Sequence, residues 1–341
     1  MRVLITGGAG FIGSAFVKHV MATRPDDEVM VLDALTYAGN IENFDEALRS
    51  DPRFSFWYGN VCNGDLVHDL VQRADAVVHF AAESHVARSI YDNSLFFMTD
   101  VIGTQTIANA VSKAPNVRVF VHISTSEVYG TALQEPMNED HPLNPLSPYA
   151  GAKAGADRLV YSYQSTYGIP AVIVRPFNNY GPNQHLEKVV PRFITSALDG
   201  KPVTVHGDGT AMRDWLFVED TARALGLLLD HRPATSGPCE VYNLGTGRAV
   251  SVLDIAEAVR LAVGRGSDGI EHIGDRPGQV AKHIADASRF TDRFGWRPEV
   301  TFTEGLERTV RWYAANEDWW RKLEWMKVVP VRTASGDIEY H

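Results

Sequence analysis

Cysteine is almost missing from this chain of 341 residues: Cys62 and Cys239 are the only two, far apart and in no metal-ligand spacing. Neither a disulfide framework nor a zinc site organises such a sequence, and a reducing cytoplasm is the expected compartment. Also missing is any Lys/Arg-rich block; 32 basic residues stand against 42 acidic ones, a formal net charge of −10. Nucleic acid and anionic membranes both demand a basic footprint, so neither is expected as the main partner, and an anionic ligand must be held by local positive groups. No run reaches the roughly eighteen apolar residues that span a bilayer. The opening "MRVLITGGAGFIGSAFVKHV" puts one Arg before an apolar stretch, yet its glycines and lack of a small-residue cleavage pattern speak for strand, turn and helix rather than a signal peptide. Internal repeats and low-complexity tracts are absent too. The expectation is a soluble globular protein without targeting segments.

What is present is enough apolar material, 45 % of residues, for one large core or two unequal ones. "RVLIT" (2–6), "EVMVLD" (28–33), "FSFWYGN" (54–60), "AVVHFAA" (76–82), "RVFVHIS" (118–124) and "AVIVRP" (171–176) read as strands, several too continuously apolar to have a wet face. Segments 13–23, 93–113 and 149–167 have helical length and periodicity, so the expected class is α/β, a doubly wound parallel Rossmann sheet over residues 1–176. After 176 the pattern turns to Gly, Pro and Asn-rich loops with short strands and helices, a smaller α/β domain over 177–330 interleaved with segments near 213–243 that return to the sheet. Ser251 with Asp254 makes a capping-box start for a helix over 251–263. Trp312, Trp319, Trp320 and Trp325 read as packing for a terminal helix, and residues 331–341 as a tail without an assigned role.

"GGAGFIG" supplies Gly7, Gly10 and Gly13 directly after the first strand and at the head of a helix. A chain that turns tightly there, lets backbone N–H groups approach a pyrophosphate and packs helix on strand wants residues without Cβ. Asp33 ends the second strand at the distance expected of an acid that accepts hydrogen bonds from a ribose diol, and a carboxylate there repels a 2′-phosphate, which favours NAD over NADP. Asn60, after the third strand, is placed to face the adenine. Tyr149 and Lys153 share a helix face at i and i+4 in "SPYAGAK", so the ammonium can lower the phenol's pKa and favour a phenolate base. Thr125, at the end of the strand before, can bond the substrate hydroxyl whose proton leaves. Together these parts oxidise an alcohol. The histidines form no cluster, and no metal is assigned.

"GGAGFIG", "STSEVYG" and "YAGAK" resemble the extended short-chain dehydrogenase/reductase family over essentially the whole chain. "DALTYAGN", "FAAESHVARSI", "NNYGPNQHLEKVVPRFI", "RDWLFVEDTARAL" and "DRPGQ" are similar to its nucleotide-sugar 4,6-dehydratase branch, the dTDP-glucose 4,6-dehydratase type. The resemblance implies tightly held NAD, removal of hydride from C4 of the sugar, loss of water across C5 and C6, and return of the hydride to C6. It gives Glu127 the C5 proton to take, a step the C4 ketone makes possible. It adds Phe11, Ile12, Asn40, Val61 and Ala81 to the cofactor wall and gives Ser84, His85, Asn179, Lys188, Arg213, Asn243 and Arg276 to the nucleotide sugar. It implies a homodimer paired through the helices near 93–113 and 149–167.

Ser126 departs from the branch, which typically carries Asp there to protonate the leaving C6 hydroxyl; a serine hydroxyl can only donate a hydrogen bond or relay a proton. Ala87 and Gln279 stand where the branch usually has Asp and often His. "TSE" is also what NDP-glucuronate decarboxylases resemble at this site, so UDP-glucuronate decarboxylation is the alternative, followed by C4 epimerisation and by non-catalytic nucleotide sensing. The intact Thr125, Tyr149 and Lys153 speak against the last. Nucleotide base and C2 substituent stay open at this level.

Overall fold

The structure is a computed structural model that describes residues 1–266, 269–274, 280–332 and 338–340. Six strands of its first half are β1 (Arg2–Thr6), β2 (Glu28–Asp33), β3 (Phe54–Tyr58), β4 (Ala76–His79), β5 (Val119–Ile123) and β6 (Ala171–Pro176). Nine more follow: β7 (Asn178–Tyr180), β8 (Val203–His206), β9 (Met212–Phe217), β10 (Glu240–Leu244), β11 (Ala249–Ser251), β12 (Ile270–Ile273), β13 (Lys282–His283), β14 (Pro330–Arg332) and β15 (Ile338–Tyr340). Seven lie in one all-parallel sheet in the order β10-β6-β5-β4-β1-β2-β3.

That sheet is apolar on both sides, as the continuous runs demand. Val3 and Ile5 face a layer with Phe16, Val17 and Val20 of helix Phe11–Thr23, while Leu4 faces the opposite layer with Leu70, Ile107 and Val160. β4, β5 and β6 are buried along their whole length; β3, at the edge, is only half-buried. Each fully buried aliphatic side chain contributes about 1.5–3 kcal/mol relative to exposure, so a strand read in the wrong register would forfeit most of its reason to pair.

The chain past 176 builds a second core around Phe193, Trp215, Phe217, Ile255, Tyr313 and Trp320. Two of its segments return: helix Val218–Leu228 packs against helix Phe11–Thr23, and β10 extends the large sheet beside β6. β9, also expected to return, instead lies in a small sheet between β11 and β13 with β7 alongside. The Ser251–Asp254 capping box is present with both reciprocal bonds.

Two expectations are corrected. The helix expected over 93–113 is helix Ser94–Phe96, a π turn Phe97–Gly103 and helix Thr104–Val111, and the wide turn directs Asp100 beneath the cleft described below. Of the four C-terminal tryptophans, Trp319 and Trp320 are buried, whereas Trp325 is 78 % exposed because it sits on a short 3₁₀ turn outside the core. Among the described residues no helix is long and apolar enough to cross a membrane.

Candidate active site

In a doubly wound sheet a crevice opens at the strand ends where chain order reverses, here between β1 and β4. The turn leaving β1 is as tight as its glycines allow. Gly7 has φ +68°, and a Cβ on it would stand 2.5 Å from the backbone nitrogen of Ala81; one on Gly13 would stand 2.3 Å from the Gly7 carbonyl oxygen. Gly10 is the N-cap of helix Phe11–Thr23, whose first N–H groups have no intrahelical acceptor and no acidic neighbour in the first turn.

Asp33, at the end of β2, accepts hydrogen bonds from the N–H groups of Ala9 at 2.9 Å and Leu35 at 2.8 Å; burial raises its pKa and these two bonds oppose the rise. Each oxygen keeps a lone pair for a further donor. Gly7, Gly10, Phe11, Ile12, Gly13, Asp33, Asn60, Val61 and Ala81 all line this one cleft. Asn40 does not. Its side chain accepts from the Glu42 N–H and its own N–H reaches the Ala9 carbonyl, so it braces the loop behind the wall. A backbone cradle that no Cβ could enter, with a fixed carboxylate at one end, fits the dinucleotide expected from the sequence, and NAD rather than NADP by its charge.

Across the cleft, Thr125 caps the 3₁₀ turn Ser126–Tyr129, its Oγ1 accepting from the Glu127 N–H at 3.2 Å. Tyr149 and Lys153 come from helix Pro148–Tyr167, whose start is set by the Ser147 cap and Pro148 in the first turn. Thr125, Glu127, Tyr149 and Lys153 all line the cleft that the glycine turn lines. Ser126 does not; it is 1 % exposed, beneath the turn.

Burial raises the Tyr149 pKa, and the interaction that opposes the rise is a hydrogen bond with Thr125. The Lys153 ammonium donates to the Ile123 carbonyl at 2.7 Å, and burial lowers its own pKa. Behind it Asp100 accepts from the Glu83 N–H at 2.8 Å, and burial pushes its carboxyl up to about 7 against the pull of Lys153.

The far wall gathers side chains from two quoted motifs. Ser84, His85, Asn179 and Lys188 stand there as expected, the Lys188 ammonium donating to the Ser84 carbonyl at 2.6 Å. Asn179 is tethered at both ends, accepting from Thr221 and donating to the Phe177 carbonyl. Glu83, Glu187 and His185 join them without having been singled out. Arg88 bonds Glu187 at 2.8 Å and lies 4.2 Å over the Tyr37 ring. Burial drives Glu187 up, but His85, Lys188, His185 and Arg88 together hold it below the usual carboxylate range; burial and Glu187 raise Glu83, and burial lowers His185 to about 4. The available signal was a carboxylate beside each chosen His or Lys in "ESHVARS" and "HLEK".

Three substrate expectations fare differently. Asn243 is fully buried on β10 and away from the cleft: its side chain accepts from the Tyr129 hydroxyl and donates to the carbonyls of Met137 and Asp286, so it cannot meet a nucleotide there. Arg213, on β9, is buried off the cleft wall and faces His283. Arg276, with Gln279, lies outside the described residues. Ala87 packs against Val329. Among the described residues no cluster of His, Cys, Asp or Glu could hold a metal ion.

A family model described as GDP-mannose 4,6 dehydratase matches residues 4–309. The chain is 42 % identical over 325 residues to a dTDP-glucose 4,6-dehydratase of Actinoplanes sp., with 94 % of this chain and 100 % of that protein covered. It is 45 % identical over 318 residues to the low-salt glycan biosynthesis protein Agl12 of Haloferax volcanii, covering 93 % and 100 %. Among solved structures it is similar to the dTDP-glucose 4,6-dehydratase DesIV of Streptomyces venezuelae with NAD and TYD bound, at TM-score 0.90 and 42 % identity over 95 % of this chain and all of that one. With that match spanning both the glycine turn and the Thr125–Tyr149–Lys153 wall, the chain belongs to the GDP-mannose 4,6 dehydratase family, the nucleotide-sugar 4,6-dehydratase branch of the extended short-chain dehydrogenase/reductases.

Proposed function

We propose that this protein is an NAD-dependent nucleotide-sugar 4,6-dehydratase, a lyase that turns a nucleoside-diphosphate hexose into its 4-keto-6-deoxy form. The observation that carries the reading is Glu127, a carboxylate on the cleft wall that also holds Thr125, Tyr149 and Lys153. Bound NAD would accept hydride from C4 of the sugar and return it at C6. Thr125 orients the C4 hydroxyl and Tyr149 oxygen takes its proton, with Lys153 fixing the strand end against the helix. Glu127 then takes the proton from C5, which the neighbouring ketone acidifies, and delivers it to the C6 oxygen as the C6–O bond breaks and water leaves. Since Ser126 lies beneath the turn, one carboxyl group serves as base and then as acid.

The named relatives and the ligand of the similar DesIV structure favour dTDP-glucose as substrate. Lys188 and Asn179 on the cleft wall are assigned to the diphosphate and sugar, with Arg276, by its motif, at the phosphates. In this reading residues 1–176 hold NAD and 177–330 mainly the nucleotide sugar. The chain works in the cytoplasm as a homodimer: Leu95, Phe97, Met98 and Ile102 each leave 45 % or more of their surface exposed on the single chain, on the segment the family pairs. Sedimentation velocity giving one chain's mass would sink the dimer.

The test weighs products from a panel of nucleotide sugars. Loss of water is expected from dTDP-glucose; loss of carbon dioxide from a glucuronate, or an isomer of unchanged mass, would overturn the reading. Glu127→Gln is expected to oxidise C4, seen as absorbance of enzyme-bound NADH, while product formation falls by about a thousandfold. Full product from that variant refutes the role of Glu127.

A further inference from the structure

After the 3₁₀ turn Glu324–Met326 the chain runs extended into β14, so alternate side chains face alike: Lys327 and Val329 are buried, whereas Val328 between them is 51 % exposed. The Lys327 ammonium donates to the Ser196 Oγ at 2.8 Å, on helix Val189–Leu198. Val329 packs on Ala87 of helix Val86–Tyr91, and β14 continues along that helix. Two buried anchors, two residues apart, thus tie together helices that come from remote parts of the chain.

Those two helices carry the far wall of the cleft. His85 is the N-cap of the first, directly after Ser84, and Lys188 is the N-cap of the second. On the cleft side they are joined by the bond from Lys188 to the Ser84 carbonyl and by the pair of Arg88 with Glu187. None of Ala87, Ser196, Lys327 and Val329 lines the cleft, so the C-terminal segment joins the same two helices from outside it. Ala87, a single methyl group at 4 % exposure, leaves room for Val329, and a polar side chain in place of either would be buried there without a partner. The pairs Lys201–Glu324 at 2.8 Å and Arg321–Asp199 at 3.0 Å hold the preceding turn to the end of helix Val189–Leu198, but they are solvent-screened and weaker than the two buried anchors.

Resting on the dehydratase reading for the identity of the ligand, we propose that Lys327 and Val329 are positioning residues for the substrate wall: they fasten helix Val86–Tyr91 to helix Val189–Leu198 and so set the spacing at which Ser84, His85 and Lys188 meet a nucleoside diphosphate. The segment works only while both ends hold, so freeing either anchor loosens both helices. The glycine turn and Asp33 stand on the opposite wall and are fixed by their own neighbours, so NAD binding is independent of the C-terminal segment.

Val329→Asp sets a carboxylate against Ala87 and releases the segment, whereas Lys327→Met keeps the apolar stem and removes only the bond to Ser196. In each variant, amide hydrogen exchange over 84–91 and 187–198 is expected to quicken about tenfold while exchange over 7–17 stays at the wild-type rate, a readout that does not depend on which nucleotide is bound. In Val329→Asp the affinity for dTDP by calorimetry and the KM for dTDP-glucose are each expected to worsen about tenfold, with kcat within about threefold and NAD affinity unchanged. Because one segment carries both anchors, the double variant is expected to be no worse than Val329→Asp alone. Unchanged exchange over both helices, NAD affinity lost in parallel with dTDP affinity, or losses that add in the double variant overturn the proposal. Should the wild-type protein fail to bind dTDP, the substrate reading falls, and the exchange pattern still decides the role of Lys327 and Val329.

Discussion

The two walls of the cleft are built by different means. The glycine-turn wall uses main chain: N–H groups at a helix start, a turn whose Cβ positions are already filled by backbone, and one carboxylate fixed by two neighbouring N–H groups. The opposite wall uses long side chains borrowed from residues 83–88 and 179–188, held in place by ion pairs and stacked rings. A main-chain site tolerates almost no substitution at its glycines and is specified within a few residues of sequence. A side-chain site depends on where distant segments land.

The sharpest way to break this contrast is Gly13→Ala. A methyl group at 2.3 Å from the Gly7 carbonyl has backbone, not a flexible side chain, against it, so NAD affinity measured by calorimetry is expected to fall more than a hundredfold and the melting temperature to drop. Near-normal affinity would mean the turn yields, and that the wall is not rigid main chain. A smaller effect sharpens the other side. Asn243→Ala removes a fully buried amide and leaves the Tyr129 hydroxyl and two carbonyls short of partners, so stability in urea is expected to fall by about 1–3 kcal/mol while KM for the nucleotide sugar stays within about twofold. A KM that rises tenfold at unchanged stability would return Asn243 to the substrate and remove the distinction drawn for it.

The pattern of success along the chain follows the same division. Gly7, Gly10, Gly13 and Asp33 were legible because turn, helix start and strand end lie within one βαβ unit, and the i, i+4 spacing placed Tyr149 and Lys153 on one helix face before any contact was known. Asn243 misled because a motif position carries no information about which way a strand faces: β10 joined the large sheet, and its pleat turned the amide toward Tyr129 and Met137. Glu83 and Glu187 were overlooked because in sequence each is an ordinary acid, and only their shared burial beside Arg88, His85 and Lys188 makes them unusual.

By itself the sequence determined the parallel sheet, the cradle beside β1 and the placing of Tyr149 and Lys153 on one helix, because each depends on interactions within a few residues or one repeat of strand and helix. Tertiary structure decided that Ser126 is buried away from the cleft, that Arg213 faces His283, and that His283 is fastened to the turn of Glu127. Those outcomes depend on residues far apart in the chain, 153 positions for Gly130 and His283, being brought side by side, and local propensity holds no record of such pairings.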